Sequence, residues 1–239
     1  MKVMTWNVLH RVHGEKHREP AILRWPDERQ RASAVAARTR RALEEGCSCV
    51  LLQEVSGDTL ATIRAALPEA KVISHPLARI PRPDPRGARD MTDYSEHLVV
   101  VAPAGQILRG QTYDDDRGKG FLAVEISPQL AVVCTHLSFD KRGRDQLAVL
   151  RVFVERYRGE ALVLAGDFNA RRDTVIAGLG PSVAVSALTP GPLRTRPEPD
   201  GSRGEDIDHV AARGMAIVEA RVLNELDLSD HRPVMASVV

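Results

Sequence analysis

This chain predicts a single domain of α and β layers with mixed, partly antiparallel sheets. Strand-like and helix-like segments alternate in its first third. Strand-like runs then dominate between residues 98 and 137 and again near the end, a mixture that a pure doubly wound parallel fold does not produce. No repeat or low-complexity linker divides the 239 residues, and that length suffices to bury one sizeable core. Hydrophobic content of 43% and charged content of 27% are those of an ordinary soluble globular protein.

The elements follow from periodicity. Lys2 to Asn7 alternates with period two and reads as a short strand; a long polar stretch, His10 to Arg29, reads as solvated loop. From Asp27 the apolar spacing of Ala34, Val35, Ala37 and Leu43 becomes helical and ends near Gly46. The apolar run Cys49 to Leu52 is a strand that stops at Gln53-Glu54, and Asp58 to Leu67 is a helix closed by Pro68. Residues 76 to 96 form a loop rich in proline and arginine. Strands are expected at Leu98 to Ala102, Phe121 to Ile126 and Leu130 to Leu137. A helix over Arg144 to Tyr157 carries Leu147, Leu150 and Val154 on one stripe. The strand Leu162 to Ala165 precedes a short helix after Arg171 and a loop from Pro190 to Gly204. Three runs close the chain: Ile207 to Ala211, Ala216 to Leu223 and Val234 to Val239.

Composition narrows the partners. No apolar run approaches the ~20 residues of a membrane helix, and the N-terminus turns polar too soon for a secretory signal. The expectation is a cytoplasmic, membrane-free and monomeric protein. Cys47, Cys49 and Cys134 give no even framework or zinc spacing and are expected to be buried, reduced thiols. A formal net charge of +1 makes no bulk commitment to nucleic acid, so attraction for a polyanion must be local.

Six apolar runs end in, or lead into, acids and their polar neighbours. These are Asn7, Glu54, His136, Asp167 with Asn169, Asp208, and Asp230 with His231. Carboxylates are rarely buried unless paired or bound to metal, so this pattern points to a convergent site. Its oxygen-rich composition, without cysteine, suits Mg²⁺ or Mn²⁺ better than Zn²⁺.

In order, Thr5-Trp6-Asn7, Leu52-Gln53-Glu54, Thr135-His136-Leu137, Gly166-Asp167-Phe168-Asn169, Ile207-Asp208 and Ser229-Asp230-His231 resemble the motif series of the endonuclease/exonuclease/phosphatase superfamily. The resemblance covers nearly the whole chain. It implies a four-layered α/β/β/α sandwich, two facing mixed sheets with helices outside and one active site at their rim. It also implies that Asn7 and Glu54 hold the divalent ion, with Asp230 joining them or positioning it through water. Asp167 and Asn169 would orient the attacking water. His231 would bind the phosphate and transfer protons, held by Asp208, and His136 would be a second phosphate contact or a general acid.

Other features are weighed against that series. His10, His13 and His17 have spacings that could share a helical face, but their polar, proline-flanked context favours a solvated loop. Arg79, Arg82, Arg86 and Arg89 could grip phosphates, helped by Arg117 and Lys119, Arg171 and Arg172, and Arg194 and Arg196. Arg117 and Arg171 are the leading substrate contacts. Trp25 and Tyr94 are the loop aromatics available to stack on a base. The expected function is metal-dependent hydrolysis of nucleic-acid phosphodiesters; the alternative is a small-molecule or lipid-headgroup phosphoester.

Overall fold

The structure, a computed structural model, describes residues 1–85, 87, 90–198 and 204–239. The chain opens with β1 (Lys2–Asn7), α1 (Arg11–His17), α2 (Pro20–Arg24), α3 (Glu28–Glu44), β2 (Cys49–Ser56) and α4 (Gly57–Ala66). It continues through β3 (Lys71–Pro76), β4 (Glu96–Ala102), β5 (Gln106–Tyr113), β6 (Asp116–Ser127) and β7 (Leu130–His136). Next come α5 (Asp140–Arg156), β8 (Ala161–Asp167), α6 (Arg172–Leu179) and the two-residue strands β9 (Ala184–Val185), β10 (Arg196–Pro197) and β11 (Gly204–Glu205). Three strands finish it: β12 (Asp208–Arg213), β13 (Ile217–Val222) and β14 (Val234–Val238).

Two six-stranded sheets result, ordered β13-β14-β1-β2-β4-β3 and β5-β6-β7-β8-β12-β9. Each is built around one parallel pair, β1 with β2 and β7 with β8, flanked by antiparallel partners. The inner faces share one apolar core, in which Val3, Leu51 and Val100 of the first sheet meet Leu122, Val132 and Val163 of the second. Val35, Ala36 and Ile63 of α3 and α4 cover the outside of the first sheet. Leu147, Leu150 and Val175 of α5 and α6 cover the second. This is the α/β/β/α sandwich the resemblance implies.

The parallel pairs set the position of the polar strand ends. Registers pair Asn7 with Gln53 and His136 with Asp167, so each pair delivers its terminal polar groups side by side. The antiparallel β12 starts where β8 stops, which places Asp208 opposite Asp167. Gly166 is the close-approach point in this arrangement. A Cβ there would lie 2.0 Å from the Thr135 carbonyl oxygen, a backbone atom that cannot yield without separating β7 from β8.

Most expected elements are present, but the expected 190–204 loop carries β10, which pairs with β11, β2 runs past Glu54 to Ser56, and there are three further differences. The 10–29 stretch is no solvated loop. It folds as α1 and α2, with His10 and Arg11 buried and small apolar clusters beneath. Strands β3 and β5, unassigned from sequence, are each one edge of a sheet; β3 is half-buried along most of its length and β5 largely exposed, so neither carries a clean alternation. Helix α5 begins at Asp140, a turn earlier than its apolar stripe suggests. Helix α3 starts as expected, with the Asp27 carboxylate accepting from the amides of Arg29 and Gln30, and turns off at Gly46 with φ +88°. All three cysteines are free and buried. Among the described residues no helix is long and apolar enough to cross a membrane.

His10 caps α1, its Nδ1 accepting from Val12 N at 3.2 Å. Burial, helped by the charge of His13 and opposed by Glu54, pushes this imidazole down to about 3. The unfolded chain takes up a proton near pH 6.5 while the folded one resists it. The stability His10 contributes is therefore complete above that value and lost as pH falls toward about 3. His10→Asn keeps a capping side chain but does not titrate. Its melting temperature is expected to fall less than that of the wild type between about pH 7 and about pH 5, as scanning calorimetry would show. A separate expectation concerns Gly166→Ala, which should cost ~1–3 kcal/mol and lower the melting temperature by several degrees.

Candidate active site

Where the two sheets meet, their strand ends open into a cleft of about 1080 Å³. Glu54, His136, Asp167, Asn169, Asp230 and His231 all line it. Glu54 sits at an irregularity in the β2–β4 pairing, with φ +57°, and Asn169 has φ +47°. Left-handed backbone at such residues costs of order 1–3 kcal/mol and concentrates at functional sites.

Asn7 bridges the sheets. Its Nδ2 donates to Glu54 Oε1 at 3.2 Å and to Asp167 Oδ2 at 3.1 Å, while its Oδ1 accepts from Leu9 N. Glu54 Oε2 accepts from His10 N at 3.0 Å and faces His13 Nδ1 at 3.0 Å. Burial works against ionisation of Glu54. The charge and hydrogen bond of His13, with His136 and Lys119, outweigh it and hold the carboxyl well below the usual range. Asp167 is treated likewise: burial opposes ionisation, but His231 and then His136 keep it deprotonated. His136 Nε2 lies 3.3 Å from Asp167 Oδ2 and 3.8 Å from Glu54 Oε1, and Lys119 Nζ closes on the same nitrogen. The Asn169 amide donates to Asp167 Oδ1 at 2.9 Å, and Asn169 Nδ2 to Leu137 O at 2.7 Å.

His231 Nδ1 meets Asp208 Oδ2 at 2.9 Å, and its Nε2 points toward Asp167 Oδ2 at 3.8 Å. Burial disfavours the imidazolium, yet Asp208, Asp230 and Asp167 together lift it to about 10. The loop carrying His231 is tied to β1: Ser229 Oγ donates to Asn7 O at 2.7 Å, and Trp6 Nε1 to His231 O at 3.0 Å. Arg31, buried on α3, secures both sides of that join. It donates to Val8 O, Leu9 O and Leu228 O at 2.7–2.8 Å and is neutralised by Glu28.

Not every expected residue reaches this floor in the same way. Asp230 lines the cleft, but its Oδ2 accepts from Arg196 Nη2 at 3.3 Å. It belongs to neither of the groups of ligand-type atoms found within 4.8 Å of one another among the described residues, His13-Glu54-Glu96 and Asp167-Asp208-His231. Arg79, Arg82, Arg117, Lys119 and Arg196 form a basic wall. Arg171 does not line the cleft; it is 80% exposed and paired with Glu205 at 2.9 Å. Arg172 and Arg194 are also engaged elsewhere, and Arg86 and Arg89 lie outside the described residues. Neither Trp25 nor Tyr94 lines the cleft, Tyr94 packing on Val12 and Met91. The aromatic at the rim is Phe139, 50% exposed at the start of α5. His209, next to Asp208, is buried, its Nε2 against Ala170 O at 2.8 Å. Sequence reasoning missed Glu96 and discounted His13. The three-residue spacing of His10 and His13 was the available signal for the latter.

The Glu54 and Asp167 carboxylates, held ionised in the floor, are hard oxygen ligands of the kind Mg²⁺ and Mn²⁺ take, whereas the Asn7 Oδ1 accepts from Leu9 N and its Nδ2 faces those two carboxylates.

Comparison with known proteins gives a consistent result. The model of the Endonuclease/Exonuclease/phosphatase family matches residues 4–231. Curated protein sequences give no significant match. Among solved structures, the endonuclease/exonuclease/phosphatase from Bacteroides vulgatus is similar over 100% of this chain and 98% of its own, at TM-score 0.70 and 16% identity. A mannosyl-6-phosphatase from Bacteroides thetaiotaomicron is similar over 100% and 99%, at TM-score 0.70 and 15% identity. D. rerio TDP2, solved with a single-strand DNA product, is similar over 100% and 98%, at TM-score 0.65 and 14% identity. With the site geometry and a family match over nearly its full length, this chain belongs to the Endonuclease/Exonuclease/phosphatase family of metal-dependent phosphoester hydrolases.

Proposed function

We propose that residues 1–239 act as a single, monomeric catalytic domain that hydrolyses phosphodiester bonds of nucleic acid with Mg²⁺ or Mn²⁺. The observation that carries this reading is the contrast within the cleft. An acidic and histidine floor suited to a cation is walled by Lys16, Arg79, Arg82, Arg117, Lys119 and Arg196, with Ile80 and Phe139 exposed beside them. A basic wall of that extent matches several successive phosphates better than one. A monomer is supported by floor and wall residues drawn from one chain, and a cytoplasmic setting by the free, buried cysteines.

In this reading Asn7 and Glu54 would hold the cation, with Asp230 at its edge, and the cation would supply positive charge against the negative charge of the reacting phosphate. The side chains divide the rest. His231 stays protonated near neutral pH, because Asp208 on one side and Asp167 on the other favour its charge. It therefore grips a nonbridging oxygen and serves as an acid. Asp167, kept deprotonated and oriented by the Asn7 and Asn169 contacts, is the group left to align the water and receive its proton. Lys119, closing on His136 Nε2, adds positive charge where the phosphate enters.

The test is nicking of supercoiled plasmid by the purified protein in Mg²⁺. Activity is expected to vanish with EDTA and to fall ~10²–10⁴-fold or more in His231→Ala and in Asp167→Ala, with circular dichroism unchanged. Undiminished activity in either variant would remove that residue from the mechanism. No nicking at all, together with phosphate release from sugar phosphates, would move the assignment to a small phosphoester. The wall is tested separately. Arg82→Ala and Arg117→Ala should each reduce the slope of log affinity against log salt by about 1, measured on a non-cleavable oligonucleotide. A slope left unchanged would mean these arginines do not touch phosphate.

A further inference from the structure

One buried acid has no part in the mechanism above. Glu96 opens β4 with its side chain fully buried, and neither carboxylate oxygen has a hydrogen-bond partner among the described residues. The cations that face it are His13 Nε2 at 3.8 Å and Arg79 Nη2 at 4.0 Å, both beyond hydrogen-bond reach. Lys119 and His136 bear on it from the cleft side, and Glu54 adds a like charge. A carboxylate removed from water without hydrogen bonds costs several kcal/mol unless something else engages it.

Two other side chains converge on the same point. The α1 turn brings the His13 imidazole between both glutamates, with Nδ1 3.0 Å from Glu54 Oε2. One ligand atom from each of His13, Glu54 and Glu96 lies within 4.8 Å of the others, which is compact enough for a single ion. His10 and His17 do not share this arrangement: His10 caps the helix and His17 lies exposed at the cleft rim. Helix formation thus selects one histidine of the three.

We propose that His13, Glu54 and Glu96 form a second cation site, beside the hydrolytic floor and sharing Glu54 with it, that takes a divalent transition metal in preference to Mg²⁺. An imidazole nitrogen with two carboxylates is a mixed donor set that suits Mn²⁺ or Zn²⁺. Mg²⁺ holds its waters and prefers oxygen ligands alone. The ion would give the Glu96 carboxylate a positive partner closer than the described residues supply, which stand at 3.8 Å and 4.0 Å from its Oε2. A carboxylate shared between two ions is also the construction of two-metal phosphoester hydrolysis. The inference rests on the hydrolase reading for the neighbouring ion, but not for its own existence.

Mn²⁺ titration of the whole chain without substrate, with free ion followed by electron paramagnetic resonance, tests this directly. The wild type is expected to bind two ions per chain, of which excess Mg²⁺ displaces one. His13→Ala and Glu96→Gln should each keep the displaceable ion and weaken the other ~10-fold or more. Glu96→Gln removes a buried charge with little change in volume, so it serves where His13→Ala disturbs α1. It should melt no lower than the wild type without metal and lose most of the Mn²⁺-dependent rise in melting temperature. One ion in the wild type, or two undiminished ions in Glu96→Gln, overturns the proposal and leaves His13 as a simple counter-ion. Two ions bound without any plasmid nicking would sink the nuclease reading while sparing this one.

Discussion

Four carboxylates buried under one cleft, Glu54, Glu96, Asp167 and Asp208, are the constraint around which this molecule is built. Two like charges a few ångströms apart repel by ~4 kcal/mol at an effective dielectric of 20, and burial adds a desolvation cost to each. The fold answers with basic side chains set against three of them, Glu54, Asp167 and Asp208. His13 stands against Glu54, His136 and Lys119 against Glu54 and Asp167, and His231 against Asp208. These groups come from α1, β6, β7 and the loop before β14, so Glu54 and Asp167 are held ionised only once distant parts of the chain have met. The charge balance of the site is a tertiary property.

The parallel pairs explain why those parts meet. In each sheet one parallel contact aligns two strand ends, and the antiparallel neighbours bring further polar residues to the same edge. Pairing strands this way needs long connections, and the chain uses α3 with its lead-in and α5 for them. The helices thus have two duties. Their apolar faces cover the sheets, and one polar member, Arg31, grips three backbone carbonyls on either side of the β1 end.

How much of this was legible in the sequence depended on what each residue contacts. Strands buried on both faces, such as β2, announce themselves as apolar runs, and the acids that end them stand out for the same reason. Asn7, Glu54, His136, Asp167, Asn169 and His231 could all be picked in this way. The edges β3 and β5 could not, because a half-buried or exposed edge strand need not alternate. The segment from His10 to Arg29 misled because its polar residues satisfy buried backbone and carboxylates, and composition alone cannot distinguish that from contact with water. Glu96 escaped for a related reason. It precedes an apolar strand, where an acid looks like a solvated boundary, and only the arrival of α1 reveals that it is enclosed. Arg171 and Arg117 look alike in sequence, yet one is spent on Glu205 and the other faces the cleft.

The floor and the wall of the cleft have different mechanical origins. Asn7, Glu54, His136 and Asp167 ride on or directly beside central strands whose positions the whole core fixes. Of the wall, Arg117 and Lys119 stand on β6, whereas Ile80, Arg82 and Phe139 stand on connections outside the sheets. Substitutions along those connections leave the core untouched, so natural variation can retune what the cleft admits without rebuilding the chemistry beneath it. A lineage carrying this architecture is free to change substrates at little cost in stability, whereas the reaction type it performs is inherited almost intact.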